Sequence, residues 1–359
     1  MERTDFLQDE RIQWLRYVLN PSLYRPEVQN WKNLFDFVQQ QAIVGICSPT
    51  QFEDIRPDTD VLFEWIGAVS MINTQNDTIN KQTVILTQKL KGDGFRCCIL
   101  KGQGNATMYP NPTLRCPGDI DVWVDADKDM LQDYVKGIFP EEEYSYKHIH
   151  FPVFQETSVD MHETPLKIYH PIHNKRLQQW ICEKKEEQMS HFVRLDNTSN
   201  DIAIPTVAFN AVYQLGHIMI HIEDEGVGLR QFVDYYFVLK NLYGTDSKIK
   251  ERIRQMWKKT GMLRLARAVM WIEKEMLGLP ETFLLVDPNE RLGRLLAKDI
   301  LEGGNFGHFG RRQKLWEQGF FIKRFSDTWH LIRLSSCFPG DAFYRLCYKV
   351  ISFIKKYIK

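Results

Sequence analysis

The chain has 359 residues, 43% hydrophobic and 26% charged, enough to bury a sizeable core in more than one lobe. Its 46 Lys and Arg balance 46 Asp and Glu, which argues against a protein that grips long nucleic acid through a general basic surplus. No apolar run reaches the roughly eighteen residues of a membrane-spanning helix, the opening residues lack a basic-then-apolar leader, and the cysteines lack paired metal spacing, so reduced thiols and a cytoplasmic setting are expected.

From residue 9 to about 94 the pattern is helical, with apolar residues three and four apart in Ile12, Leu15, Val18, Leu19 and in Leu34, Phe35, Phe37, Val38. A segment carrying Ile79, Val84, Leu86 and Leu90 stops at Gly92-Asp93-Gly94, a cluster that ends helices and makes turns. Residues 96–100 read as a short buried strand on which Cys97 and Cys98 face opposite sides. A short helix over 103–108 ends before Pro110, and a Pro-rich loop runs to Gly118.

The next strand, Ile120-Asp121-Val122-Trp123-Val124, is preceded by Asp119, so Asp119 and Asp121 share one face while Ile120 and Val122 point into a core. Two carboxylates on one strand face suit a hard cation. Asp160, between Val159 and Met161, alternates in the same way, and the three together have the chemistry to hold one or two Mg²⁺ or Mn²⁺ ions for a phosphoryl transfer. The alternatives are an acidic turn at 119–121 and a solvated strand face at Asp160, with Glu163 and Glu156 next in line as the third acid. Upstream, the turn Gly102-Gln103-Gly104 offers bare backbone N–H groups to a phosphate. Lys101 and Arg115 either neutralise that phosphate or form local salt bridges.

Asp127 caps a helix through Val135 and Ile138, Glu141 to Glu143 lie in a turn, and residues 144–154 and 156–163 read as a strand pair. From about residue 165 onward the pattern is mostly helical, with a linker expected near 197–205.

The order of glycine turn, short helix, Asp-x-Asp strand and third-Asp strand resembles the DNA polymerase beta-like nucleotidyltransferase superfamily. More closely, Ile99-Leu100-Lys101-Gly102, Tyr109-Pro110, Arg115, Gly118-Asp119-Ile120-Asp121 and Val159-Asp160-Met161-His162 resemble an uncharacterised bacterial nucleotidyltransferase family often encoded beside surface-polysaccharide genes. The strong part of the resemblance covers residues 95–163, and a weaker part extends through His217 and Gly228 to Asp234. Gly102-Gln103 stands where the superfamily usually has Gly-Ser or Gly-Gly.

The resemblance implies an α+β fold: a small mixed-sheet nucleotidyltransferase core over 95–200, flanked by helical regions over 1–94 and 201–359. It implies transfer of a nucleoside monophosphate from an NTP such as ATP, with release of pyrophosphate. Asp119, Asp121 and Asp160 are then the catalytic and metal-binding acids, with Lys101, Gly102, Gln103, Gly104 and Arg115 at the nucleotide. The acceptor is a sugar, small molecule, protein or RNA.

Two other readings compete: a catalytically silent module that binds nucleotide or a partner, and an Asp-x-Asp glycosyltransferase, which requires a βαβ half upstream of the acids. A zinc hydrolase built on His148, His150, His162 and Asp160 is a lesser possibility, and His217 and His221 lie one helical turn apart. Residues 306–359 carry eleven Lys or Arg against three acids. Phe343, Leu346, Val350, Ile354 and Ile358 fall on one helical face there, with Arg345, Lys349, Lys356 and Lys359 largely elsewhere. Such a helix suits anionic lipid or RNA, or packs on its neighbours with a solvated basic side.

Overall fold

The computed structural model describes residues 6–55, 57–142, 148–309 and 311–357. Glu143, residues 144–147 of the first expected strand, and Ile358 and Lys359 of the expected terminal helix lie outside these. The fold is a mostly helical α+β arrangement around a small mixed sheet.

Helices α1 (Glu10–Leu19) and α2 (Trp31–Gln40) lead into α3 (Thr59–Gly92). At 34 residues α3 spans about 50 Å, ending where Gly94 takes φ +90, a conformation that only glycine adopts without strain. Strand β1 (Cys97–Leu100), helix α4 (Gly102–Ala106) and strand β2 (Ile120–Val124) follow. Next come α5 (Lys128–Ile138), capped by Asp127 through Met130 N at 2.9 Å as the sequence predicts, β3 (Ile149–His150) and β4 (Val159–His162).

The remaining elements are α6 (Pro171–Met189), the hairpin β5 (Phe192–Arg194) and β6 (Asp201–Ala203), and helices α7 (Val207–Asp224), α8 (Leu229–Asn241), α9 (Ser247–Lys259), α10 (Leu263–Glu275), α11 (Glu290–Gly303), α12 (Arg311–Trp316), α13 (Phe320–Leu334) and α14 (Pro339–Tyr357). No helix among the described residues is long and apolar enough to cross a membrane.

The four-stranded sheet has the order β1-β2-β4-β3, with β2 and β4 parallel and both outer pairs antiparallel. Side-chain alternation sends its two faces into different cores. Cys97, Ile99, Ile120, Val122, Val159 and Met161 meet Leu131 and Val135 of α5 and Leu86 and Leu90 of α3. Cys98, Leu100 and Trp123 join the larger helical core, so the two adjacent cysteines do face opposite sides. The polar residues Asp121, Asp160 and His162 share that second face, at the edge where the sheet meets α7 and α8.

Three expectations change. The strand pair is shorter than the sequence suggests, pairing Ile149 with Met161 and His150 with Asp160. The expected linker at 197–205 is instead the turn and second strand of the β5–β6 hairpin: Asn197 takes φ 57, and Ile202, Ala203 and Ile204 are buried. The terminal helix is turned differently, because Leu346 packs against the core while Phe343, Val350 and Ile354 are exposed. Two of its cations point inward, Arg345 to Asp224 in an ion pair and Lys349 to the Asp327 carbonyl at 3.5 Å, and burial pushes the Lys349 ammonium down to about 8.

Candidate active site

The parallel pairing of β2 with β4 sets Asp121 directly across from Asp160. Asp119 enters one residue before β2, and ligand oxygens of all three aspartates lie within 4.8 Å of one another. Asp119 is exposed, Asp121 buried and Asp160 intermediate. They line a cavity of about 390 Å³ together with Lys101, His148, His162, His217, Tyr169, Arg230 and Phe306.

Both oxygens of Asp121 are occupied: Lys101 Nζ stands 2.6 Å from Oδ2 and His162 Nε2 2.8 Å from Oδ1. Burial would raise the Asp121 carboxyl, but the charge on Lys101 and the bond from His162 outweigh it and hold the group well below the ordinary carboxylate range. Asp119 shifts the other way, raised first by the neighbouring Asp121 charge and then by the protein atoms that crowd it in the cleft, although its edge is open to solvent. Like charges this close leave the cluster short of a cation.

Lys101 is placed by backbone strain. It takes φ 49 between β1 and α4, a region that non-glycine residues rarely occupy, and its ammonium also donates to His217 Nε2 at 2.8 Å. Gly102 follows at φ +39, its Cα facing the Asp119 backbone.

Of the other expected nucleotide contacts, Gln103 and Gly104 sit away from the acids, whereas Arg115 lines the same cavity. The Gln103 side chain is buried away from the acids, donating to Asn80 Oδ1 and to Asn76 Oδ1. Gly104 lies within α4, where a Cβ would stand 3.2 Å from Ile204 Cγ2, so its smallness serves packing. Arg115 is buried and forked onto Asp234, Nε to Oδ1 and Nη2 to Oδ2, each at 2.8 Å. Of the two possibilities read for Arg115, the structure contains the salt bridge.

The histidines surround carboxylates and form no separate cluster with ligand spacing among the described residues. His148 Nε2 and His150 Nδ1 each stand 3.5 Å from Asp160, while His162 serves Asp121. Upstream of the acids the described residues hold one strand, β1, antiparallel to β2, in place of the βαβ half that a glycosyltransferase would need.

Two contributors were not singled out in the sequence. Arg230 donates from Nη1 to the Pro117 carbonyl at 3.2 Å, its guanidinium carbon lies 5.6 Å from the Phe306 ring centroid, and among the described residues it has no carboxylate at contact distance. Burial, then the nearby Arg115 charge, lowers its pKa. Phe306 arrives on a loop seated by Gly307, where a Cβ would come within 2.2 Å of the Glu225 carbonyl oxygen. The signal for Arg230 lay in the stretch Gly228-Leu229-Arg230-Gln231-Phe232-Val233-Asp234; Phe306 had none.

The sequence pattern described as an uncharacterised nucleotidyltransferase matches residues 27–278, more than half of the chain. The chain belongs to this uncharacterised nucleotidyltransferase family. The matched span contains the three aspartates, Lys101 and Arg230, while Phe306 of the same cavity lies beyond it. No curated protein matches the chain. An antigenic nucleotidyltransferase-like protein from Paracoccidioides brasiliensis is similar in structure at 10% identity and a TM-score of 0.29, over 52% of this chain and 88% of its own, and so weak a likeness carries no argument here.

Proposed function

We propose that this nucleotidyltransferase-family site transfers a nucleoside monophosphate from an NTP to an acceptor hydroxyl and releases pyrophosphate, with Mg²⁺ or Mn²⁺ held by Asp119, Asp121 and Asp160. The observation that carries this reading is the convergence of the three carboxylates from paired strands whose register is fixed by their backbones. The donor set fits the group: all three are hard oxygen ligands, and the raised Asp119 carboxyl marks a surplus of negative charge. A divalent ion bound there supplies neutralisation of the charge that builds on the phosphoryl oxygens.

The chain's own residues do the rest. Arg230, bonded to the backbone carbonyls of Cys116 and Pro117, neutralises the triphosphate in the role first expected of Arg115. Lys101, which balances Asp121 in the metal-free chain, exchanges that carboxylate for a phosphate oxygen. Asp160 accepts the acceptor's hydroxyl proton as the oxygen bonds to the α-phosphorus, and the bond to the bridging oxygen breaks with its electron pair leaving on pyrophosphate. Phe306, at the cavity wall, offers an apolar surface to the base or the acceptor.

The test is incubation of the protein with each NTP labelled at the α-phosphate, with Mg²⁺ or Mn²⁺ and candidate acceptors. Label should pass to the acceptor with pyrophosphate in equal amount, and Asp119→Asn should abolish both. Retained NTP binding with no metal-dependent turnover in any mixture would instead support the silent, nucleotide-binding reading.

A further inference from the structure

Arg230 reaches the cavity from the first turn of α8 with only one of its nitrogens engaged. Nη1 donates to the Pro117 carbonyl at 3.2 Å and to that of Cys116 at 3.5 Å, while Nε and Nη2 have no hydrogen-bond partner among the described residues. A Cβ at Gly118 would stand 3.3 Å from Nη1 and 3.9 Å from Nη2, so the glycine before Asp119 leaves room for the guanidinium beside the acidic strand. The edge that carries Nε and Nη2 is a fork that can take two oxygens of a phosphate group. Arg115 uses that same edge on a carboxylate, with Nε and Nη2 on the two oxygens of Asp234.

A two-pronged contact requires the guanidinium to be held in place, and the side chain packed on it is Phe306. The Phe306 ring centroid lies 5.6 Å from the guanidinium carbon, within the range of cation–ring attraction, and 5.1 Å from the His221 ring. Its backbone is strained: φ 56 and ψ 23 fall in the left-handed region that bulky residues rarely occupy. Gly304 at φ 63 and Gly307 at φ 67 bracket it, and the seat beneath is close. A Cβ at Gly228 would meet Asn305 Cα at 2.7 Å, one at Gly226 would meet Gly307 Cα at 3.2 Å, and Arg312 Nη1 donates to the Glu225 carbonyl at 2.9 Å. Phe306 is only half-buried, so leaving water stabilises the ring less there than in a core. Strain of this kind persists where the surroundings over-determine it, and it collects at functional sites.

We infer that Phe306 is a positioning residue: its ring holds the Arg230 guanidinium with Nε and Nη2 turned to the cavity, as a receptor for two oxygens of the pyrophosphate half of an NTP. The inference rests on the proposed assignment of Arg230 to the triphosphate. Because Phe306 lies beyond the matched span 27–278, a segment outside the family pattern then sets the grip on the nucleotide.

Calorimetric titration of the full chain with inorganic triphosphate and Mg²⁺ tests this, because that ligand carries the phosphate oxygens and no base. Phe306→Ala and Phe306→Leu, the second keeping an apolar side chain of similar size, should each weaken binding about fivefold or more at wild-type helical content, while Phe306→Tyr, which keeps the ring, should stay within about twofold. In an Arg230→Ala background Phe306→Leu should weaken binding no further, since the ring acts through the arginine. Unchanged binding in both variants that lack the ring, or a loss that adds to that of Arg230→Ala, would overturn the inference. A loss seen with ATP and not with inorganic triphosphate would overturn it too, leaving the ring only a contact with the base. So would a wild-type protein that does not bind inorganic triphosphate. Triphosphate binding that follows the expected pattern in a protein that transfers no nucleotide would instead sink the transfer reaction and leave the positioning role standing.

Discussion

Arg115 and Asp234, 119 residues apart in the chain, form a buried two-pronged ion pair that fastens the loop before the acidic strand onto α8. Asp234 also accepts from Tyr109 Oη at 2.7 Å and Asn105 Nδ2 at 3.0 Å, so one carboxylate collects α4, the Pro-rich loop and α8 around itself. Burial would raise the Asp234 carboxyl, but the Arg115 charge and these donors hold it below its ordinary value. The loop is pinned from its other side by Asn76 of α3, which donates to the carbonyls of Thr113 and Arg115 at 2.8 and 2.9 Å.

Arg115→Met therefore strands a buried charge, and we expect a loss of stability of about 3–5 kcal/mol in urea titration. Arg115→Met/Asp234→Leu should recover much of it. A stable single variant with a raised requirement for NTP would return Arg115 to the phosphate-binding role.

Arg230 should behave in the opposite way. Its partners are backbone carbonyls and an aromatic ring, so Arg230→Ala should leave the stability in urea within about 1 kcal/mol of wild type and raise the KM for NTP roughly tenfold or more. Steady-state kinetics beside a denaturation curve separates the two arginines.

Asp160 should be separable from Asp119. If it takes the acceptor proton, Asp160→Asn still binds NTP with Mn²⁺ but transfers about a hundred- to ten-thousand-fold more slowly, whereas Asp119→Asn loses both. Calorimetric titration of the two variants decides the matter. Equal loss of binding would make Asp160 an ordinary metal ligand.

Lys101→Met removes the cation that Asp121 holds in the metal-free chain. Because the folded Asp121 carboxyl is held below its unfolded value, it contributes stability above the ordinary carboxylate range that is lost as pH falls through the folded value. The variant should thus melt lower at neutral pH, and Mn²⁺ should raise its melting temperature by more than it raises that of wild type. Equal shifts would mean that Lys101 and the divalent ion do not compete for the carboxylate.

Glu273 in α10 is buried with both carboxyl oxygens unbonded, and burial pushes its pKa well above the usual range. The folded state then binds a proton that the unfolded chain has released, so stability falls as pH rises past about 4.5. Glu273→Met should raise stability by about 1–3 kcal/mol at neutral pH, with a gain that shrinks toward pH 4. A gain independent of pH would show that the carboxyl is not the cause.

Much of this molecule was written locally. Alternation around Asp119, Asp121 and Asp160 needs only the strand period and an apolar neighbour on each side, and the Asp127 cap and the Gly92-Asp93-Gly94 stop are short-range backbone chemistry; all of these were legible in the sequence. Family membership was legible for the same reason, since the residues that carry the resemblance lie mostly in the contiguous stretch 95–163, inside the matched span 27–278. What a side chain does when either of two roles is open was not legible. Arg115 meets Asp234, Gln103 meets Asn80, Lys101 meets Asp121 and His217, and Arg230 is left with backbone partners, because contacts across 20 to more than 100 residues depend on where α3, α7 and α8 come to rest. The same holds for the end of the chain, where periodicity specified that α14 has an apolar face but not which way it turns. Only packing decided that: Asp224 and Asp299 draw Arg345 and Arg333 inward, and Phe321, Phe325 and Trp329 of α13 are left facing out.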